Sequence, residues 1–269
     1  MPLTSDTCIC LRKLEYSETS QILTLLSRHH GIVRVMAKGA HRRTRAGSGK
    51  FDGGIDLLDI GQAVFTHDPA RELDQLTEWK LTEGHLGLRR TLRGLYLGLY
   101  ALELICAFFE EHDQHPELFD ALAKLLMELS GPRAEESFLA FELDLLATAG
   151  YAPQITRCVE CDGALADAEP VWFAPSLGGV VCQKCAPTQH DRMALDSRLL
   201  RLLQNLAAPV GPTLPRLSRH QTDPLNRLLA EHMIHILGRP LRLAGYVLPA
   251  KRRPQSAPLA AAVPLDQNQ

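Results

Sequence analysis

The chain has 269 residues, of which 45% are hydrophobic and 22% charged, and its formal net charge at pH 7 is −2. This length and composition are typical of a globular protein with one large or two modest domains. Apolar runs are too short to cross a membrane, and the first residues lack the basic and apolar regions of a signal peptide. We therefore expect a cytoplasmic protein without a membrane partner.

Residues 1–81 are predicted to form a small β-barrel. Short apolar runs at residues 8–14, 21–27 and 32–37 are typical of strands, and His30-Gly31 predicts a tight turn. Two further runs cover residues 55–66 and 73–81. Five strands in so short a segment favour the five-stranded oligonucleotide-binding (OB) barrel, although the periodicity also permits another small sheet.

The same region has a basic stretch without any acidic residue between Arg28 and Phe51, and its centre, residues 38–50, is called the basic segment. We expect the basic segment to be a loop at the barrel mouth that contacts nucleic-acid phosphates, as in proteins that bind single strands. A solvated, charge-rich loop is the alternative, because Phe51 and Phe65 are the only aromatic residues nearby. The candidate DNA-binding residues are Arg34, Lys38, Arg42, Arg43, Arg45 and Lys50.

Residues 82–250 are predicted to be mainly helical, because leucines recur there at intervals of three and four. Pro132 suits a first helical position and Asp223 an N-cap, while Gly150 and Gly238 predict helix ends. The Pro- and Ala-rich residues 251–269 predict a disordered tail. The expected helices cover about residues 83–111, 116–129, 132–149, 196–206 and 223–237.

Two Cys-x-x-Cys pairs separated by twenty residues predict one structural zinc ion, held by Cys158, Cys161, Cys182 and Cys185. Four thiolates fill a tetrahedron and leave no position for a catalytic water. Apolar residues flank Gly178-Gly179 between the pairs, which predicts a hairpin. We therefore expect a zinc hairpin inserted over residues 155–188. The remaining cysteines, Cys8, Cys10 and Cys106, are interpreted as small buried hydrophobic residues.

Sequence signatures of the enzymes considered are absent. The histidines of Glu231-His232-Met-Ile-His235 lie three residues apart, so they do not form the His-Glu-x-x-His site of a metalloprotease. The cysteines lack the preceding proline of the zinc deaminases. Since no phosphate-binding glycine motif is present either, we expect neither an enzyme nor a nucleotide cofactor.

Three segments together resemble the RecO family of recombination mediators. Residues 15–40 include Ala37-Lys38-Gly39, residues 145–153 include Gly150-Tyr151-Ala-Pro153, and residues 173–185 join Gly178-Gly179 to the second cysteine pair. The resemblance covers nearly the whole chain except the tail. It implies an α+β protein in which an N-terminal OB-type barrel precedes a mainly helical domain with an inserted four-cysteine zinc hairpin.

The resemblance also implies a function in DNA repair and homologous recombination. RecO-like proteins bind single- and double-stranded DNA, anneal complementary strands, and act with RecR to load recombinase onto strands coated by single-stranded-DNA-binding protein. The acidic tail of that coating protein enters an apolar groove with basic residues in the helical domain. A cytoplasmic, nucleoid-associated protein is expected.

The resemblance supports a role in DNA binding more closely for some residues than for others. Arg34 and Lys38 lie inside the matched signature, whereas the basic residues that follow correspond in character alone. The proposed tail groove lies at the start of the long helix, although the same pattern fits leucines that face the core and arginines that face water. Its residues are Arg89, Arg90 and Arg93 beside Leu92, Leu95 and Leu99.

The same sequence features also fit two other functions. A zinc-ribbon transcription or RNA-binding factor would share the barrel, the cysteines and the basic loop. A protein-interaction scaffold would not bind DNA in a salt-dependent manner.

Overall fold

The computed structural model describes residues 3–40, 50–52, 54–66, 72–165, 170–208 and 214–248. Arg42, Arg43 and Arg45 of the predicted basic loop lie outside the described residues, as does the predicted tail. Across the described segments, no helix combines the length and apolar character needed to span a bilayer.

The N-terminal part is a closed barrel, as predicted. Its strands pair in the order β3-β2-β1-β5-β6, and a parallel pairing of β3 with β6 closes the ring, while β4 adds to the edge of β6. Among the described residues, the interior holds twelve buried hydrophobic side chains, which include Phe65, Trp79 and the predicted buried thiols Cys8 and Cys10. The strands are β1 (Leu3–Glu15), β2 (Ser20–Ser27), β3 (Gly31–Lys38), β4 (Phe51–Asp52), β5 (Ile60–Thr66) and β6 (Asp74–Glu83).

The predicted strand over residues 55–66 was too long at its start, since β5 begins at Ile60. Leu58 has a φ of +72°, which a continuous strand does not permit. The carboxylate of Asp59 instead accepts the backbone N–H of Asp56 at 2.8 Å and stabilises a turn.

The helical part has a core that α3 crosses. This helix packs against α1, α2, α4 and α5, and Phe138, Leu139, Leu145 and Leu146 are each 0% exposed. A helix with apolar side chains around most of its circumference is expected at the centre of a bundle. The helices are α1 (Leu92–Phe108), α2 (Pro116–Glu128), α3 (Ala134–Thr148), α4 (Ser197–Ala207), α5 (Arg219–Leu237) and α6 (Ala244–Val247).

The long helix begins later than predicted. Strand β6 continues to Glu83 opposite Ile60, so this segment is still part of the barrel. A 3₁₀ turn follows at Leu88–Arg90, and α1 starts only after Thr91, which is extended with a φ of −125°. Leucine spacing alone could not separate the turn from the helix, because both place residues three apart on one side.

Two other helix starts were also wrong. The third helix begins at Ala134 rather than at Pro132. The fifth begins at Arg219, because Ser218 and Gln221 form a capping box, and Pro224 lies inside the helix instead of following an N-cap at Asp223. Gly238 ends this helix in the left-handed conformation, as predicted.

The β2–β3 turn joins the barrel to the helical part. The backbone N–H of His112 donates to the carbonyl of Ile32 at 2.9 Å, and Arg28 forms an ion pair with Asp120 at 2.8 Å. Gly31 has a φ of +67°, and a Cβ there would overlap the backbone carbonyl of Asp113. Only glycine therefore allows the two backbones to approach this closely.

We expect Gly31→Ala to lower the free energy of unfolding by about 3 kcal/mol or more, measured by urea denaturation, since it combines a positive φ with a backbone clash. Gly150→Ala is the matched control, because Gly150 has a φ of +80° but nothing within 4 Å of the added Cβ. It should cost about 1 to 2 kcal/mol. Equal losses in both variants would contradict a tight contact at Asp113.

Glu142 of α3 is 0% exposed, and its carboxylate oxygens have no hydrogen-bond partner among the described residues. Burial raises its pKa well above the usual 4.5, Glu135 raises it further, and Arg93 opposes the shift. The folded state therefore retains a proton that the unfolded chain loses, so this group weakens stability as pH rises above about 4.5.

Glu142→Gln cannot ionise and should be more stable than the wild type at pH 8 by about 1 to 3 kcal/mol, with the difference vanishing near pH 4. Chemical denaturation across pH would measure the difference. Glu18→Gln, which changes an exposed carboxylate, is the control and should track the wild type at every pH. A pH-independent difference for Glu142→Gln would refute this account.

Candidate metal centre and nucleic-acid interface

The four predicted cysteines converge on one point. Their sulfur atoms all lie within 4.8 Å of one another, and the Sγ atoms of Cys161 and Cys182 are 3.9 Å apart. A tetrahedral zinc ion with Zn–S bonds of about 2.3 Å requires sulfurs separated by about 3.8 Å. The donor set therefore has the spacing and chemistry to hold a metal ion, as the sequence predicted.

Local backbone geometry positions both cysteine pairs. The N–H of Asp162 donates to the carbonyl of Cys158 at 2.8 Å, and the N–H of Cys185 donates to that of Cys182 at 3.1 Å, so each pair forms a turn. The predicted hairpin consists of β7 (Val171–Ala174) and β8 (Gly179–Val181), joined through Gly178 with a φ of +68°. A third strand, β9 (Met193–Leu195), pairs with β7 and was not predicted.

The thiols of this cluster differ in pKa. Burial acts to raise the pKa of Cys158, but backbone hydrogen bonds from Cys161, Cys182 and Glu160 outweigh it and lower the pKa to about 6. Hydrogen bonding with Cys182 raises the pKa of Cys185 to about 12. Four neighbouring thiolates repel one another, so all four ionise together only around a cation.

The hairpin rests on the helices through a buried histidine. The Nε2 atom of His232 in α5 lies 3.0 Å from the carbonyl oxygen of Tyr151, and its ring meets the ring of Phe173 edge-on at 5.6 Å. Burial lowers the pKa of His232, while hydrogen bonds to the backbone of Tyr151 and Pro175 oppose the shift. Gln154 adds two hydrogen bonds to the hairpin, because its backbone N–H donates to the carbonyl of Gly178 and its carbonyl accepts the N–H of Val180.

The described cations of the predicted DNA site lie in two places, and the first is the edge of the barrel next to the basic segment. Lys38 ends β3 and Lys50 precedes β4, so these exposed residues bracket that segment. Both ends of the segment approach β6, because β3 and β4 each pair with that strand.

Strand β6 adds one more exposed cation to this edge. Lys80 follows buried Trp79. In the strand register it lies opposite Asp52 of β4 and Gln62 of β5. Lys80 was not among the predicted residues, although the alternation of Glu78 and Lys80 around an apolar Trp79 could have revealed an outward position.

Arg34 lies at the second location of the predicted DNA-binding cations, away from the basic segment. It is exposed on the outer face of β3 and its Nε atom lies 3.7 Å from the carboxylate of Glu111, beside the helical part. Part of its charge is therefore compensated across the junction between barrel and helices.

The arginines at the start of the long helix are largely paired. Arg89 donates to Asp56 at 3.1 Å, and Arg93 binds the carboxylate of Glu135 and the carbonyl oxygen of Val247. Arg90 is exposed and forms no ion pair within the described part of the chain. Among the leucines, Leu92 is 68% exposed, whereas Leu95 and Leu99 pack against the helical core. Arg90 and Leu92 therefore remain exposed at the start of α1.

A groove that no sequence pattern predicted separates the barrel from α1. It has a volume of about 1040 Å³, with a wall that includes Leu14 and Leu99. Arg12, Arg239 and Arg242 also line it, together with Glu103, Glu110 and Glu111, and the backbone N–H of Arg242 donates to the carboxylate of Glu103. Its walls come from distant parts of the chain, so no local pattern could have revealed it.

Comparisons with known proteins agree with this architecture. Residues 1–85 match the family described as Recombination protein O N terminal, and residues 89–243 match Recombination protein O C terminal. The chain is 34% identical over 209 residues to the DNA repair protein RecO of Rhodopirellula baltica, covering 77% of this chain and 75% of that protein.

Two further relatives cover more of the sequence. DNA repair protein RecO of Anaeromyxobacter sp. strain Fw109-5 is 32% identical, over 84% of this chain and 90% of its own length. The RecO protein of Pelotomaculum thermopropionicum is 31% identical, over 90% of this chain and 92% of its own length. With both family models matched in order on a closed barrel and a helical part, the chain belongs to the RecO family of DNA repair proteins.

Proposed function

We propose that this protein is a recombination mediator that binds and anneals DNA strands and helps to load recombinase onto coated single-stranded DNA. Membership of a family of DNA repair proteins carries the proposal. The closed barrel supports it, because Lys38 and Lys50 flank a basic segment at one edge. In this proposal residues 1–81 bind nucleic acid and residues 82–250 form the helical domain.

Annealing of this kind needs no catalytic residue. Two strands repel each other through their phosphates, and a basic surface lowers that repulsion while raising the local concentration of strands. Contacts from four to six cations would make log affinity fall with log salt at a slope of about −3 to −4. The proposed contacts are Arg34, Lys38, Arg42, Arg43, Arg45 and Lys50.

The proposed protein partners are RecR and the acidic tail of single-stranded-DNA-binding protein. At the start of α1, exposed Arg90 and Leu92 remain available to such a tail, while Arg89 and Arg93 are already paired. The groove between barrel and helices offers a second place, since five basic residues line it against three glutamates and adjoin an apolar wall. Either arrangement would keep the basic segment close to the coated strand.

The metal proposed for the four cysteines is one structural zinc ion. Zinc prefers thiolates in tetrahedral geometry, and the sulfur spacing fits that geometry. When bound, the ion would fix the hairpin that rests on His232 and Tyr151. A structural role follows from the complete set of protein ligands.

For the DNA contact, we expect Arg42→Glu/Arg43→Glu/Arg45→Glu to abolish most strand annealing and to flatten the salt dependence of binding. Fluorescence annealing assays across a salt series measure both effects. The matched control is Arg198→Glu/Arg201→Glu/Arg216→Glu, which changes the net charge equally at exposed positions of the helical part.

Annealing that survives in the basic-segment variant would remove this segment from the mechanism. A wild-type protein that binds RNA but does not anneal DNA would instead favour the zinc-ribbon transcription or RNA-binding alternative. A wild-type protein that binds neither would favour a scaffold.

For the metal, Cys182→Ser should reduce bound zinc from one ion per chain and lower the melting temperature, because three ligands remain and the hairpin loses its anchor. Elemental analysis and thermal denaturation measure these changes. Cys106→Ser is the control, since Cys106 lies outside the cluster and should retain full zinc. Unchanged zinc content in Cys182→Ser would rule out the assignment.

A further inference from the structure

The outer face of strands β1, β2 and β3 carries side chains in rows that cross the sheet. Strand β2 pairs with both neighbours, and alternate residues of a strand point to the same face, so each row takes one residue from each strand. Successive rows lie about 6.7 Å apart, which is the rise of two residues. The row beside the helical part consists of Arg12, Thr24 and Arg34.

The row at the opposite end contains an exposed aromatic ring and a cation. The backbone N–H of Tyr16 donates to the carbonyl oxygen of Ser20 at 3.0 Å, and Ser20 lies opposite Lys38 in the strand register. The N–H of Ser17 donates to the same carbonyl oxygen at 3.1 Å and closes the β1–β2 turn. Tyr16 is 63% exposed, and Lys38 is exposed as well. The ring and the cation therefore flank Ser20 at the point where the basic segment begins.

An apolar row lies between these two. Leu14 is 62% exposed, and Ile22 and Met36 are partly exposed. Leu14 and Ile22 also belong to the wall of the groove between the barrel and α1. An apolar row beside an exposed ring can hold the faces of bases, which are accessible in an unpaired strand and covered by their neighbours in a duplex.

Two cations on this face are free to meet phosphates. Arg12 and Lys38 are exposed, and neither forms an ion pair with a carboxylate among the described residues. Arg34 lies 3.7 Å from Glu111, so part of its charge is compensated. Because the two free cations lie on opposite sides of the apolar row, a strand that crosses the rows meets positive charge at both ends.

The two carboxylates of the β1–β2 turn differ in their effect on a phosphate. Glu15 accepts a hydrogen bond from the side chain of Gln21 at 2.9 Å and lies 3.8 Å from Lys13, which offsets its charge. Glu18 is exposed and repels phosphate. The favourable position for a phosphate is therefore the Lys38 side of the face and not the tip of the turn.

We propose that a single strand of nucleic acid crosses these rows, with one base stacked on Tyr16 and its phosphates bound by Lys38 and Arg12. This inference rests on the proposed annealing function and adds to it a preference for single over double strands. The strand continues from Lys38 into the basic segment. With nucleic acid on this face, the acidic tail is left with exposed Arg90 and Leu92 at the start of α1.

The stacked base is tested by fluorescence anisotropy with labelled oligo-dT and with a duplex of the same length. Tyr16→Ser should weaken oligo-dT binding about five- to hundredfold, as expected for loss of one stacked base, and should leave duplex binding unchanged. The salt dependence should stay that of the wild type, because no charge is removed. Tyr16→Phe retains the ring and should bind oligo-dT as the wild type does.

The phosphate contact is tested by Arg12→Gln in the same assay. Loss of one phosphate contact on a single strand should reduce the slope of log affinity against log salt by about 0.7. Tyr246→Ser is the control, because Tyr246 is 61% exposed but lies on α6 in the helical part. It should bind oligo-dT as the wild type does, and circular dichroism should show that every variant is folded.

Three results would overturn the stacked base while leaving the proposed function intact: wild-type affinity in Tyr16→Ser, equal losses in Tyr16→Ser and Tyr16→Phe, or an equal loss on the duplex. Unchanged salt dependence in Arg12→Gln, together with lost binding of an acidic peptide, would assign the face to a protein partner instead. A wild type that binds neither oligo-dT nor duplex would overturn both the inference and the proposed function.

Discussion

The burial of both faces of β1 ties the barrel to the helical part. Cys8 and Cys10 point into the barrel interior, whereas Ile9 and Leu11 belong to the helical core. Successive side chains of a strand point to opposite faces, so one short run of residues serves two cores. The barrel and helices therefore share a strand and pack as parts of a continuous structure.

This shared strand explains why the junction matters for the proposed DNA surface. The β2–β3 turn packs against the loop after α1, where Gly31 leaves no room for a side chain. Further along β3, Arg34 is partly neutralised by Glu111. Of the described cations proposed to contact DNA, Lys38 and Lys50 therefore place their charge next to the basic segment.

The cysteine hairpin is a second unit that depends on the helical part. Its sulfurs form a complete donor set, and Phe173 packs against the ring of His232. A metal bound there would stabilise the hairpin and its contact with α5, and four thiolate ligands would leave no open coordination position.

The sequence by itself determined the features set by short-range patterns. Cysteine spacing predicted the cluster, apolar runs predicted the barrel strands, and Gly238 predicted a helix end, because each depends on neighbouring residues. Only the tertiary structure decided which cations are paired, since Arg89 and Arg93 meet carboxylates distant in the sequence. The groove likewise arises from segments that folding brings together, and no local periodicity encodes such contacts.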